Sequence, residues 1–234
     1  MPENQGHGKT WEKDLGLNVY KATEAELATV SHTAPIDVPR AFNRLEGIDV
    51  SIKVSGKDTI DMADIVRVFD EVSSGEKFHV TVVLWEQNSP TTKKLKSITE
   101  GDLTNSVELM FGSVKREQLV DLVTAAKAVG KVRPTVTAEE RARQISSAYA
   151  MRDELHRLSG FMHIHLMFYT NTASRVQGQF TRFRQFVAEN PGRLVAESQT
   201  CEFRGGRIAN EIPSTKRVRN KKPGPDSAPH SPPI

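Results

Sequence analysis

The chain has 234 residues, 37% of them apolar and 6% aromatic, with 32 Lys and Arg against 29 Asp and Glu and a formal net charge of +3. That length supports one sizeable core, so a single domain is the default, and no apolar run approaches the roughly 18 residues of a membrane span. A lone cysteine, Cys201, excludes an internal disulfide and a zinc knuckle, and the start MPENQGHGKTWEKDL lacks a secretion signal's apolar core.

These features predict a cytoplasmic protein with no membrane partner. The basic excess is local. Pro213 to Ile234 holds five Lys or Arg against Asp226 alone, a contribution of +4 to the chain's +3 that leaves −1 for the rest. It also holds six of the twelve prolines and few apolar residues, so 213–234 is expected to be a disordered tail on a domain spanning 1–212. A body near neutrality does not advertise a polyanion partner; only local charge clusters would.

In chain order, Gly8 to Val30 reads as a helix in two pieces, with Trp11, Leu15, Val19, Leu27 and Val30 at helical spacing and Gly16 as the weak point. GIDVSIKVSG, residues 47–56, has the alternation of a strand. Ile48, Val50, Ile52 and Val54 form an apolar face, and Asp49, Ser51 and Lys53 share the other. TIDMADIVRVFDEV reads as a helix capped by Asp58 or Thr59, with Ile65, Phe69 and Val72 on its buried stripe. KFHVTVVLWEQ is apolar enough for a strand buried on both faces, and KLKSITE suggests another. REQLVDLVTAAKAVG and TAEERARQISSAYAMRDELHRLSG are the clearest helices, the second ending at Gly160. Strands are expected again in FMHIHLMFY, RVQGQFTRF and RLVAESQTCEFR. Helices between strands predict an α/β domain with a mixed central sheet flanked by helices.

Three residues stand out in order: Glu12 on the first helix, Asp37 in APIDVP, and Lys53 in the strand. This arrangement resembles the PD-(D/E)xK nuclease superfamily, and within it the type II restriction endonucleases. The resemblance covers about Gly8 to Glu100. It implies a restriction endonuclease-like fold and a magnesium-dependent DNA endonuclease cutting phosphodiester bonds at a specific site of double-stranded DNA, acting as a homodimer. Asp37 would then be the central metal ligand, Glu12 a supporting one, and Lys53 the catalytic lysine.

Such hydrolysis needs carboxylates to hold Mg²⁺, which activates water, and a cation to stabilise charge on the phosphate. The chain departs from the pattern at one place. Ser51 stands where the family has an acid, so the second carboxylate must come from elsewhere. Asp49 on the same strand face is the first candidate metal ligand, followed by Glu46, Asp61 and Asp64. The departure motivates an alternative, a weakened nuclease fold that binds nucleic acid without cutting it. Judged without the resemblance, Lys53 beside an aspartate is an ordinary exposed ion pair, Glu12 a favourable charge in a first helical turn, and Asp37 the organiser of a turn.

Asn171 to Phe186 has three arginines and no acid. On a strand, Arg175, Gln177 and Gln179 share a face, and their side chains suit the groove edges of guanine and adenine. Arg182 and Arg184 suit phosphates, as does Lys57 in the loop SGKDT, which is too short for a nucleotide-binding loop. His163 and His165 face the same way on their strand, a pair without a third metal ligand.

Overall fold

The computed structural model describes residues 6–31, 36–129, 136–169 and 174–213, with 6–8 described by backbone alone. Helix α1 (Gly6–Asp14) runs into a π-helical turn at Leu15–Val19, and α2 (Glu24–Thr29) follows. Then come β1 (Asp49–Ser55), β2 (Ile60–Asp64), α3 (Ile65–Ser73), β3 (Phe78–Ser89), β4 (Thr92–Asp102), α4 (Val107–Phe111) and α5 (Arg116–Val129). The second half contains α6 (Ala138–Leu158), β5 (Met162–Met167), β6 (Arg175–Phe180) and α7 (Phe183–Glu189). It closes with β7 (Leu194–Ser198), β8 (Glu202–Phe203), β9 (Gly206–Arg207) and β10 (Glu211–Pro213). The molecule is an α/β protein built on a mixed sheet.

In the main sheet β1 pairs with β3 in parallel, and β3 pairs with β4 as an antiparallel hairpin. The outer edge of β4 is shared by β7 at Ile98–Gly101 and β10 at Thr92–Lys94. A second sheet has the order β2-β6-β5 and is antiparallel throughout. Position along β3 decides which core a side chain feeds. Val80, Val82 and Leu84 join the larger core with Met62, Ile65, Phe180, Phe183 and Phe186, while Val83 joins Trp11, Leu15, Val19, Ile52 and Ile98. The N-terminal helix thus packs on one face of the main sheet and the second sheet on the other. No helix among the described residues is long and apolar enough to cross a membrane.

The expected helix over Thr59 to Val72 is corrected in its first half. Ile60 and Met62 are buried beside exposed Asp61, the period of a strand, and this segment pairs with β6. Asp64 rather than Asp58 or Thr59 caps α3, its Oδ1 accepting from the amides of Val66 and Arg67. The expected strand RVQGQFTRF stops at Phe180, and Phe183 begins α7. β3 is buried from Phe78 through Leu84 and then emerges. β10 runs to Pro213, the residue at which the basic tail was expected to begin; 214–234 lie outside the described residues.

Charge is also buried in this fold. Glu100 on β4 is fully buried, and Arg204 Nη1 donates to both its oxygens at 2.9 Å while His79 Nδ1 lies 2.8 Å from Oε1. The other end of the guanidinium holds Glu46. Arg204 and Gly205 form the two-residue loop between β8 and β9 with φ of 48° and 77°. That left-handed geometry favours Asn or Gly, so arginine there is held by its carboxylate partners. Tyr20 Oη lies 2.5 Å from Thr81 Oγ1, and burial, then nearby Glu100, push the phenol well above its ordinary range. Arg204→Ala leaves Glu100 buried without its countercharge and is expected to cost about 3 to 5 kcal/mol. Denaturant midpoints check this, with Glu100→Gln added to Arg204→Ala expected to recover part of the loss.

Candidate active site at the edge of the main sheet

β1 is an edge strand, so its outward backbone groups need partners outside the main ladder. Val38 supplies one set: Val50 N donates to Val38 O, and Val38 N and Asp37 N both donate to Val50 O, each at 3.0 Å. The next outward amide, Ile52 N, donates to Asp37 Oδ2 at 2.6 Å. Ser51 Oγ donates to the same oxygen at 3.1 Å, and Lys53 Nζ lies 3.4 Å from it. Three donors therefore fix one oxygen of Asp37. Its other oxygen, Oδ1, has no hydrogen-bond partner among the described residues.

Glu12 reaches the same place from α1. Trp11 Nε1 donates to Ala209 O at 2.7 Å, and Asp14 Oδ2 accepts from Ala209 N at 2.8 Å. These bonds bracket Glu12 and fasten its helix to the chain just before β10. Trp11 and Leu15 are fully buried, which turns Glu12 away from the core and toward the sheet edge. Burial first, and then the charge of Asp37, raise the Glu12 carboxyl to about 7, with Lys53 and Lys9 acting in the opposite direction. Glu12, Asp37 and Lys53, from a helix, a turn and a strand, are thus brought within electrostatic reach of one another. Lys9, one helical turn before Glu12, joins them without having been singled out in the sequence.

The remaining acids are placed elsewhere. Asp49, expected as a metal ligand, is instead held on both oxygens by Arg40: Oδ1 accepts from the Arg40 amide at 2.6 Å and Oδ2 from Nε at 2.8 Å and Nη2 at 2.6 Å. Glu46 pairs with Arg204, Asp61 accepts from Gln179 at 2.7 Å, and Asp64 caps α3. None of the four joins Asp37. Ser51 is 1% exposed and orients Asp37. A carboxylate in its place would be buried against Asp37, a like-charge contact with little water to relieve it.

Two protein carboxylates are compatible with magnesium, which keeps several waters and commonly takes one or two acids together with substrate phosphates. Glu12 and Asp37 Oδ1 are the two acids here that could hold such an ion. A second group of possible ligands combines exposed Glu46 with buried His79 and Glu100, whose ligand atoms lie within 4.8 Å of one another. The Arg204 guanidinium already supplies the positive charge there.

Among the expected DNA-contacting residues, Arg175, Gln177 and Gln179 share the solvent-facing side of β6. Gln179 Nε2 donates to Asp61 and lies 3.1 Å from His165 Nδ1, so part of its capacity is used. Arg182 is exposed in the turn after β6, and Arg184 on α7 pairs with Asp58 at 3.4 Å. Lys57 is exposed in the loop after β1. His163 stacks on His156 of α6 with ring centres 4.2 Å apart, and His156 Nε2 accepts from the Ile164 amide. Burial keeps both imidazoles below their ordinary range, as a pair packed at the edge of the second sheet would be. Compared with protein-family models, with curated proteins and with solved structures, the chain matches none.

Glu12 binds its proton more tightly in the folded than in the unfolded chain, so its ionisation lowers stability as pH rises from about 4.5 to about 7. Glu12→Gln removes that loss. Its stability relative to the parent is expected to rise by about 1 to 3 kcal/mol between pH 5 and pH 8. Urea denaturation in EDTA reads the difference, and parallel pH profiles for the two proteins would mean that Glu12 is not held in this environment.

Proposed function

We propose that the protein is a magnesium-dependent DNA endonuclease of the restriction type, on a restriction endonuclease-like variant of the α/β core. The observation that carries this reading is the meeting of Glu12, Asp37 and Lys53 at the open edge of β1. Side chains separated in sequence and drawn from three kinds of local structure have no shared packing role that would gather two acids and a lysine there. Ion pairs of purely structural use in this molecule look different. Arg204 and Arg40 engage their carboxylates in several short hydrogen bonds, whereas Lys53 sits 3.4 Å from Asp37 and Glu12 has an elevated affinity for protons.

In this mechanism Glu12 and Asp37 Oδ1 would hold the magnesium ion, which would supply activation of water and neutralisation of charge on the scissile phosphate. Asp37 is kept in one rotamer by Ile52 N, Ser51 and Lys53, so it presents its free oxygen without reorganising. Lys53, with its side chain 16% exposed, faces the phosphate side of the same carboxylate and stabilises negative charge as the phosphorus is attacked. Ser51 is a positioning residue. Arg175, Gln177, Gln179, Arg182, Arg184 and Lys57 contact double-stranded DNA, and a homodimer matches the symmetry of a palindromic site.

Incubation with plasmid DNA and Mg²⁺ tests the reading. The parent protein is expected to give discrete fragments, and Asp37→Asn and Lys53→Ala to lose at least about 100-fold in rate while keeping the parent's circular dichroism. Full magnesium-dependent cutting by folded Asp37→Asn protein overturns the assignment. The position of Ser51 favours a second reading, a nuclease fold that binds DNA without cutting it. Retarded plasmid mobility with no new fragments would select that one.

Ser51→Asp supplies the family's acid at a site 1% exposed. It is expected to lower the denaturation midpoint in EDTA and to regain stability when Mg²⁺ is added, since a ligand of the native state stabilises it. Equal midpoints with and without Mg²⁺ would count against a metal at this position.

A further inference from the structure

Just beyond Lys53 the strand ends in a cleft of about 400 Å³ lined by Gly56, Lys57 and Asp58 of one loop, Leu84 to Gln87 of β3, Lys96 of β4 and Arg184 of α7. We infer that this cleft is a binding subsite for the DNA backbone next to the scissile phosphate, with Lys57, Lys96 and Arg184 as its phosphate contacts. The inference rests on the nuclease reading above and extends it to a place and to a residue, Lys96, that no sequence pattern pointed to.

Three features carry it. The first is position: Ser55 lies on the same strand face as Lys53, two residues or about 7 Å along β1, and the cleft opens at the next residue. A strand whose phosphate rests at Asp37 and Lys53 passes its neighbouring phosphates over this opening. The second is unspent charge. Lys57 and Lys96 are both exposed and form no ion pair among the described residues, while Arg184 has only a 3.4 Å contact with Asp58. Of its two acids, Asp58 faces Arg184 while exposed Glu86, like Lys57 and Lys96, forms no ion pair among the described residues, so the cleft is a mixed site with a net uncommitted charge of +1.

The third is a built frame. Ser55 Oγ donates to Thr59 O at 2.9 Å and accepts from Lys57 N at 3.1 Å, which fixes the loop that carries Lys57. Gly56 lies flat on the Trp85 indole, where a Cβ would come within 2.9 Å of Cζ2, and Lys93 covers the ring centroid at 3.8 Å. The indole is therefore a fixed wall between two neighbours, and the cations line the opening. A phosphodiester chain suits this arrangement, since it asks for spaced cations and no deep enclosure.

The test is DNA binding by the full chain in EDTA, so that no cleavage intervenes. A short fluorescein-labelled duplex is titrated at salt concentrations from about 50 to 200 mM, with the parent and with Lys57→Ala/Lys96→Ala. Both side chains are exposed and make no ion pair among the described residues, so the double variant is expected to keep the parent's melting curve. Its affinity should fall about tenfold or more, and the slope of log K against log salt should shrink by about 2, one for each phosphate that a lysine no longer neutralises. Inorganic tripolyphosphate in excess should displace the duplex only weakly, which separates a strand from a free polyphosphate as the occupant.

An unchanged affinity and slope in the double variant overturn the subsite, as does failure of the parent to bind the duplex. Displacement by stoichiometric tripolyphosphate overturns it in favour of a nucleotide site. The nuclease reading is decided separately, because Asp37→Asn is expected to bind the duplex with the parent's slope and yet leave plasmid uncut. Cleft-dependent binding together with unabated cutting by Asp37→Asn would retain the subsite and remove the assigned catalytic centre.

Discussion

The hydrogen bond from the Ile52 amide to Asp37 Oδ2 solves a problem that every edge strand has, and the rest of the site follows from the solution. A backbone donor at a sheet margin needs an acceptor, and here Asp37, held by the bridge between Val38 and Val50, brings a carboxylate in place of a carbonyl. A carbonyl would have ended the matter. The carboxylate brings a second oxygen and a negative charge, and Lys53, one residue along, comes to lie beside it. Completing the sheet and setting a carboxylate beside Lys53 are the same event. This is why Asp37 cannot drift, and why its free oxygen has a defined direction.

Two charged assemblies in the molecule make an instructive contrast. Around buried Glu100, one guanidinium bonds to both carboxylate oxygens and to exposed Glu46, and His79 Nδ1 lies on Glu100 Oε1, so every member has a close partner. At the sheet margin, Glu12 and Asp37 share Lys53, with Lys9 nearby, and the proton affinity of Glu12 rises because burial and a like charge are not fully offset. Spacing alone would nominate Glu46, His79 and Glu100 as a metal centre, and the Arg204 guanidinium is the cation already lodged there. Nor is Ser51 a mere deletion of an acid in this setting: its hydroxyl lends a hydrogen bond where a carboxylate would add a third negative charge to a nearly dry corner.

Much of the main sheet was legible because its signals are local. The alternation in residues 48–54 and the apolar run of β3 each announce a strand within a few residues, and Thr137 three residues before Glu140 marks the start of α6. β2 was misread for the opposite reason. Ile65, Phe69 and Val72 make a true helical stripe, and what takes the residues just before them into a strand is β6, more than a hundred residues away. The spacing of Glu12, Asp37 and Lys53 carried a family pattern but no geometry. Asp49 has the right strand face for a ligand, yet Arg40 takes both its oxygens, and no periodicity tells one carboxylate's partner from another's. Arg204 ends the stretch RLVAESQTCEFR, expected as one strand, but the chain breaks there into β7 and β8, and Glu46 and Glu100 come to Arg204 in the turn from distant segments.

The bonds that fasten α1 to Ala209 join residues 198 and 195 apart in sequence. A chain emerging from the ribosome amino end first makes Glu12 long before the segment that steadies it. The helix that carries Glu12 therefore lacks its two hydrogen bonds to Ala209 in a nascent fragment, however well the central hairpin has already formed. If the proposed activity holds, such tardiness would keep a DNA-cutting helix unfastened until the segment around Ala209 has been made.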